Sequence, residues 1–448
     1  MQRIALRPVP SFLQPPCDSF RRVSTQYDFA FAVIGGGPAD SSAAISLAQR
    51  GHSVVLLERE TFPRFHIGES LLSTANDAFA ALGVAERMDA AAFPEKWGAR
   101  LFTHDGQSGR GVNFADVREV QRPQTYQVCR AEFDRILLER ARELGVQVRE
   151  GCKVTSCEFE PDAAIVDFND GMPGRLRVQA VVDASGRQGM LARKFSLRTD
   201  EPLLANIAIF SHYSNVPRLA EGAPNDIRII ARNDAGWFWL IPISAELMSV
   251  GVVLPRNLYQ QMPEGSPEER LKRAFADTPI VAELMQDARQ EWPVRVEKDF
   301  SYSATQYAGD RWILAGDAGS FLDPVFSTGV SIAMESGIEA AAELDRASKN
   351  NDFSAQTFAV FSRRQRKRFQ TFRRFVIGFY TPQFRDLFFK PNPPELLFRA
   401  VVTVLAGRWD ASRWTRFLNH LFFALVALQK RFAMTRSLFR RDRTAGYP

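Results

Sequence analysis

Cysteine and histidine are scarce in this chain of 448 residues, with four of the first and five of the second. The four cysteines, Cys17, Cys129, Cys152 and Cys157, show no Cys-x-x-Cys spacing. That excludes a disulfide-stapled scaffold and fits a reducing, cytoplasmic setting. With so few scattered histidines, no metal site is expected. Long apolar runs are also missing. The best candidate, residues 421–428, is too short to span a bilayer and follows Asn419 and His420. Residues 1–27 lack the apolar core of a secretion signal, contain Pro8, Pro10, Pro15 and Pro16, and read as a loose tail. Acidic residues run short only at the C-terminal end. From residue 351 onward there are 5 Asp/Glu against 19 Lys/Arg, so the first 350 residues are net acidic although the whole chain carries +6. A basic module on an acidic body points to an anionic partner, and without a binding motif that partner is not nucleic acid. What is plentiful is apolar: 45% of residues are hydrophobic and 24% charged. That supports one large or two medium cores and excludes a disordered chain.

Organised structure is expected from Asp28. Phe29 to Ile34 is a short run of strand formers, residues 41–49 read as a helix, and residues 53–57 as a second strand ending at Glu58. That is a β-α-β unit, hence a parallel sheet. Further strands are expected at residues 146–148, 153–167, 176–182 and 312–315, and helices at 131–144 and 329–348. Residues 204–254 break the β-α rhythm and predict an inserted antiparallel sheet. Beyond Phe353 the chain is helical, aromatic and basic. The expected division is a tail at 1–27, an α/β core at 28–350 with the sheet inserted at about 200–300, and a helical module at 351–448.

Two motifs carry cofactor chemistry. Gly35, Gly36, Gly37, Pro38 and Ala39 lie between the first strand and its helix, where backbone N–H groups and a helix N-terminus can receive a pyrophosphate. Glu58, about twenty residues on, is placed for ribose hydroxyls. The third glycine of the pattern is replaced by Asp40, an anion expected to face the pyrophosphate. The second motif ends a strand in Gly316, Asp317, Ala318 and Gly319 and can set one carboxylate on a ribityl chain. Together they resemble the glutathione-reductase-like FAD-binding Rossmann fold of monooxygenases and halogenases. One dinucleotide turn only is visible, so reducing power is expected from another protein.

A third string is rarer: Gly236, Trp237, Phe238, Trp239, Leu240, Ile241, Pro242. Alternate residues of a strand share a face, so the tryptophans form one apolar wall. With this Trp-x-Trp-x-Ile-Pro string, the segment from Phe62 through Gly68, Glu69 and Ser70 to Leu71, the pair Cys129 and Arg130, the run from Asp183 to Gly186, and the run from Asp323 to Val330, the chain resembles the flavin-dependent halogenases. The basic C-terminus is similar to their phenol- and pyrrole-acting branch, found in secondary metabolite and antibiotic biosynthesis.

The resemblance implies reduced FAD delivered by a separate flavin reductase, a flavin C4a-hydroperoxide formed with O2, and chloride or bromide oxidised to hypohalous acid. It further implies a lysine that positions or captures this oxidant beside an electron-rich ring. Lys96 matches that lysine, Thr328 and Gly329 match the halide pair, and Trp237, Trp239 and Pro242 match the wall between flavin and substrate. Gly35, Gly37, Pro38, Ala39, Glu58, Arg64, Arg130, Gly316, Asp317 and Gly329 are the residues expected around FAD, and His66 is expected as a packing residue near it. Phe326 stands where tryptophan-acting members carry Glu, which favours a phenol or pyrrole, free or tethered to an acyl or peptidyl carrier protein. Arg363, Arg364, Arg366, Lys367, Arg368, Arg373 and Arg374 are candidates to meet such an acidic carrier. The alternatives are a flavin hydroxylase, opposed by Asp183-Ala-Ser-Gly186; a prenyl-chain reductase, opposed by the Trp-x-Trp-x-Ile-Pro string; and a non-catalytic FAD-fold protein that docks a partner, supported by Asp40.

Overall fold

Phe29–Ile34 is apolar on both faces, and its inner residues Phe31, Ala32 and Val33 are fully buried. A strand of that kind belongs in the middle of a parallel sheet covered on both sides. The computed structural model, which describes residues 27–219, 224–298, 300–390, 393–434 and 437, places it there. The expected tail at 1–27 lies outside the described residues except for Tyr27. So does most of the chain beyond Met434.

The parallel strands run in the order Trp312–Leu314, Pro173–Asp183, Phe29–Ile34, Val54–Leu57, Gln147–Arg149. Ile34 is level with both Leu57 and Asp183, and Asp183 with Leu314. Four strands therefore stop at one edge, and the loops after them share a single crevice beyond the carboxyl ends, the usual ligand position in open α/β sheets. Lys153–Phe159 and Ala164–Asn169 extend this sheet as an antiparallel arm.

Helix Pro38–Gln49 packs on the long helix Gly329–Asn350 through small residues, Ala39, Ala43 and Ala44 against Ala333, Ala340 and Ala341. The contact is close enough that a Cβ on Gly337 would lie 2.3 Å from the Ala39 carbonyl oxygen. This closeness brings the N-termini of both helices to the crevice.

The second sheet also has eight strands, including Asn206–Ser214, Met248–Pro255, Trp237–Pro242 and Ile227–Ala231. It is antiparallel except where Ile227–Ala231 runs parallel to Gly98–Thr103. That strand and Gly109–Asn113 come from outside the region expected to be inserted. Their mixed polar and Gly-rich sequence hides them, because only their pairing with an apolar strand makes them part of the sheet.

The C-terminal helices Ala359–Phe379, Pro382–Phe388, Glu395–Leu405 and Arg413–Phe432 lie over this second sheet. Phe372, Phe375, Phe379, Phe384 and Phe388 share one apolar cluster with Trp237, Trp239 and Phe326. Several basic residues on the first of these helices are engaged within the protein. Arg368 is buried between Glu335 and Glu339, Arg364 also reaches Glu339, Arg373 pairs with Glu201, Arg366 donates to the Thr305 carbonyl, and Arg374 lies over the Phe423 ring. Of the seven cations expected to meet a carrier, Arg368 is buried and Arg373 half-buried; Arg364, Arg366 and Arg374 make these contacts from exposed positions, and Arg363 and Lys367 are exposed as well. Among the described residues no helix is long and apolar enough to cross a membrane.

Gly337→Ala tests the helix contact. The clash with the Ala39 carbonyl, about 1–3 kcal/mol for an overpacked site, exceeds the roughly 1 kcal/mol of helix propensity gained. The urea midpoint is expected to fall with an unchanged m-value.

Candidate active site

The glycine turn opens the crevice. Gly35 has φ +114°, and a Cβ there would fall 1.9 Å from Asp40 Oδ1. The Asp40 carboxyl thus occupies the space that glycine leaves. Its Oδ2 accepts the Gly37 N–H at 2.8 Å, while Oδ1 is buried without a partner among the described residues. Burial, with Glu58 acting in the same direction, pushes the Asp40 pKa well above the ordinary carboxylate range. The sequence reading expected an anion facing the pyrophosphate. The structure corrects this: the side chain folds back to cap its own turn, in surroundings that favour the neutral acid.

The other groups expected around FAD gather at the same edge. Glu58 is buried at the end of Val54–Leu57, and its Oε1 accepts the Glu60 N–H at 2.8 Å. Arg64 Nη2 lies 3.9 Å from Glu58 and 3.7 Å from Asp134, and its Nε is a buried donor without a partner among the described residues. Arg130 is held by Asp134 at 2.8 and 3.0 Å. Burial pushes the Asp317 carboxyl up to about 6, with Arg130 and Arg187 pulling the other way. His66 is pushed down to about 4 by burial and then by Arg130, so it is a neutral ring beside the Ile67 carbonyl at 2.7 Å. This agrees with its reading as a packing residue.

Gly35, Gly37, Pro38, Ala39, Glu58, Arg64, Arg130, Asp317 and Gly329 all line one cleft. Gly316 does not; with φ +57° it sits behind the cleft, where a Cβ would be 2.8 Å from that of Ala39. The unsatisfied Arg64 donor, the neutralised Asp40 and a long cleft running from the glycine turn to the tryptophans fit FAD. Glu58 would take the ribose, Asp317 the ribityl chain and Arg64 the pyrophosphate.

At the far end of the cleft stand Trp237, Trp239 and Ile241, with ring centroids of the two tryptophans 5.9 Å apart. Pro242 closes the strand but does not line the cleft. Trp237 Nε1 donates to Tyr380 Oη at 2.7 Å, and Tyr380 donates to Asp323 Oδ2 at 2.6 Å, which also accepts from Asn206 Nδ2 at 2.9 Å. Asp323 opens the loop that carries Ser327, Thr328 and Gly329. Ser327 and Gly329 line the cleft, and Thr328 is the buried residue preceding helix Gly329–Asn350. Tyr380 escaped sequence reading because nothing near it in the chain marks it as a partner of a residue 143 positions away.

Lys96 is 1% exposed, which removes the solvated-surface alternative. Its short strand Glu95–Lys96 pairs with Thr125–Tyr126, and the buried Asp226 accepts the next two backbone N–H groups, Trp97 and Gly98, at 2.8 Å each. Nζ donates to Ser70 Oγ at 2.8 Å and to the Leu71 carbonyl at 2.7 Å, and lies 5.3 Å from the centre of the Phe114 ring. Burial pushes its pKa down to about 7, against the pull of Asp226. Lys96 does not line the FAD cleft. Cys152 and Cys157 are buried, and desolvation raises both thiols, Cys152 to about 11, which keeps them protonated near neutral pH.

A glycine turn opens a cleft that reaches the two tryptophans, and a buried amine that does not line the cleft completes the site. The tryptophan halogenase family profile matches residues 30–121 and 114–391. A 1H-pyrrole-2-carbonyl peptidyl-carrier-protein chlorinase of Pseudomonas fluorescens is 33% identical over 379 residues, 80% of this chain and 84% of its own. The corresponding brominase of Pseudoalteromonas luteoviolacea is 35% identical over 333 residues, 73% of this chain and 80% of its own. Among solved structures, the FAD-dependent chondrochloren halogenase of a myxobacterium aligns with TM-score 0.72 and 32% identity, covering 89% of this chain and 97% of that one. The chain belongs to the flavin-dependent halogenases. It is an oxidoreductase whose cofactor is FAD and whose halide is chloride or bromide.

Two variants probe the geometry. Asp40→Asn keeps an acceptor for the Gly37 N–H but cannot ionise. FAD affinity of the native chain, read by flavin fluorescence, is expected to strengthen as pH falls through the raised Asp40 range. The variant should bind without that dependence and about tenfold tighter at high pH, the effect of roughly 1.4 kcal/mol from one removed charge. Tyr380→Phe leaves Trp237 Nε1 without its acceptor and should cost about 1–3 kcal/mol in urea unfolding.

Proposed function

We propose that the chain halogenates a pyrrole or phenol ring presented on an acyl or peptidyl carrier protein, with Lys96 handling the halogen. The observation that carries this is the buried Lys96 amine, pushed down to about 7 and hydrogen-bonded to two acceptors. A neutral amine has two N–H bonds and one lone pair. Ser70 and Leu71 take both N–H bonds, which leaves the lone pair to react. When bound and reduced, FAD with O2 and a halide supplies hypohalous acid. The Lys96 amine takes the halogen and releases water, then passes the halogen to the ring and recovers a proton from it, so the lysine is regenerated. The N–H groups at the start of helix Gly329–Asn350, with Thr328, hold the halide. Trp237 and Trp239 keep the flavin end apart from the substrate, so that the oxidant meets the amine first.

The substrate class rests on Phe326 and on the relatives. Phe326 is buried and meets Phe379 edge to face at 5.7 Å, so that position is aromatic and apolar, without the carboxylate expected in tryptophan-acting members. Both matched pyrrole enzymes are named for carrier-tethered rings. For docking the carrier, Arg363, Arg364, Lys367 and Arg416 surround a shallow cleft with Trp409 and Asp410, a mainly cationic surface suited to an acidic domain. Electrons come from a separate flavin reductase, since the chain has a single dinucleotide turn.

The test supplies FAD, a flavin reductase, NADH, O2 and bromide, with pyrroles and phenols offered free and carrier-tethered. A bromine isotope doublet in the product mass, present only with the tethered ring, is expected. A gain of one oxygen would make the enzyme a hydroxylase, and product from the free ring would remove the carrier. Lys96→Met should lower turnover by about 10²–10⁴-fold while FAD binding is retained. Turnover of the native enzyme should rise about tenfold per pH unit below about 7 and level off above it, because only the neutral amine can take the halogen. A rate that falls through that range would mean the cation acts instead, as a hydrogen-bond donor.

A further inference from the structure

Helix Arg413–Phe432 shows two faces to two environments. One face carries Leu418, Phe422 and Gln429 into the protein, with Phe422 edge-on to Phe384 at 5.2 Å and the neighbouring Phe423 edge-on to Phe375 at 5.1 Å. That anchoring fixes which residues face outward. Outward are Trp414, Phe417, Leu421, Leu428 and Phe432, with 60%, 56%, 43%, 42% and 63% of their surface exposed. At 100° per residue these five fall within roughly 60° of the helix circumference, a single stripe. The stripe runs the length of a 20-residue helix, about 30 Å. Trp414 and Phe417 stack on each other at 5.5 Å and are more than half exposed among the described residues.

The charges beside the stripe are of one sign. From residue 411 to 441 the sequence contains seven Lys/Arg and no Asp or Glu. Arg413 stands at the start of the helix, Lys430 and Arg431 at its end, all exposed, and residues 417–429 between them carry no charged side chain. A second copy packed stripe to stripe would bring cations against cations, with no acidic residue on the helix itself to pair them. An acidic protein partner is best met by cations set among the apolar contacts, as around Trp409. An uncharged centre with aromatic rings and cations at both ends suits a surface that is apolar inside and anionic at its skin.

We propose that this helix seats the protein on an anionic lipid surface, lying along the headgroups with Trp414, Phe417, Leu421, Leu428 and Phe432 in the acyl boundary and Arg413, Lys430 and Arg431 at the phosphates. The helix attaches to one leaflet and does not cross it. The attachment is independent of the halogenation chemistry, since none of these residues touches the FAD cleft or Lys96.

The full chain, loaded with FAD, is sedimented with vesicles of phosphatidylglycerol and phosphatidylcholine and, separately, of phosphatidylcholine alone. Partitioning to the anionic vesicles is expected to be at least tenfold stronger and to weaken as salt rises. Two variants are compared. Trp414→Ser combined with Phe417→Ser removes apolar contact, and Lys430→Gln combined with Arg431→Gln removes charge. Each should lower partitioning several-fold while FAD binding stays native, which certifies the fold. A chain that stays in the supernatant with both vesicle types overturns the proposal. So does equal binding to both, or a native dimer in light scattering that the serine variants convert to monomer. Binding of an acidic carrier protein that is lost in the serine variants, without any vesicle binding, overturns it as well.

Discussion

Tyr380 gives its hydroxyl proton to Asp323 and accepts one from Trp237, and three distant parts of the chain meet at that oxygen. The tryptophan wall, the loop leading to Thr328 and Gly329, and the C-terminal module are tied by two hydrogen bonds inside an apolar cluster. In such surroundings an unmade hydrogen bond is costly, about 1–3 kcal/mol for each polar group left alone. The three parts are therefore correct together or wrong together. The wall cannot rotate without stranding the Trp237 N–H, and lifting the helix Ala359–Phe379 would take from Asp323, whose carboxyl burial pushes up to about 6, the Tyr380 hydrogen bond that pulls it back down. The tryptophans at the cleft and the loop before helix Gly329–Asn350 are thereby held in one fixed arrangement.

Burial sets the charge state of the groups that matter. Asp40, Asp317, His66 and Lys96 are each moved toward the neutral form, and in every case desolvation is the largest cause. At the nucleotide turn this lowers the repulsion that an anionic Asp40 would offer to a pyrophosphate. At Lys96 it brings the pKa of a buried amine down to about 7, the property on which its proposed role rests. The same fold effect thus serves binding in one place and reactivity in the other.

The C-terminal module uses its cations in three ways. Arg368, Arg364 and Arg373 neutralise carboxylates of the core and fasten the first helix. Arg363 and Lys367 face outward beside Trp409, on the surface proposed to meet a carrier. Arg413, Lys430 and Arg431 flank the uncovered apolar stripe of the last helix. A single excess of positive charge in the composition resolves into structural, docking and surface-seeking parts only when each side chain has a place.

Local chemistry made much of this protein readable. The glycine turn, Glu58, the Gly316–Asp317 corner and the Trp-x-Trp string are contiguous motifs whose spacing reflects strand and helix periods, so the parallel sheet, the cofactor and the family follow from the order of residues. Lys96 was readable as a candidate because it sits at a fixed distance from Glu69 and Ser70. Its burial was not readable, since a lysine beside a tryptophan and a glycine looks like any surface lysine until Asp226 and Ser70 close over it. Asp40 looked like a flaw because sequence shows its charge and not the space above Gly35 into which the carboxyl folds. The strand at residues 98–103, which carries its hairpin partner 109–113 into the sheet, and the role of Tyr380 depend on partners more than a hundred positions away. Spacing along the chain determined what kind of site this is. The tertiary structure decided which charges survive there, because desolvation and hydrogen bonding act through space and are set by neighbours that the chain order does not reveal.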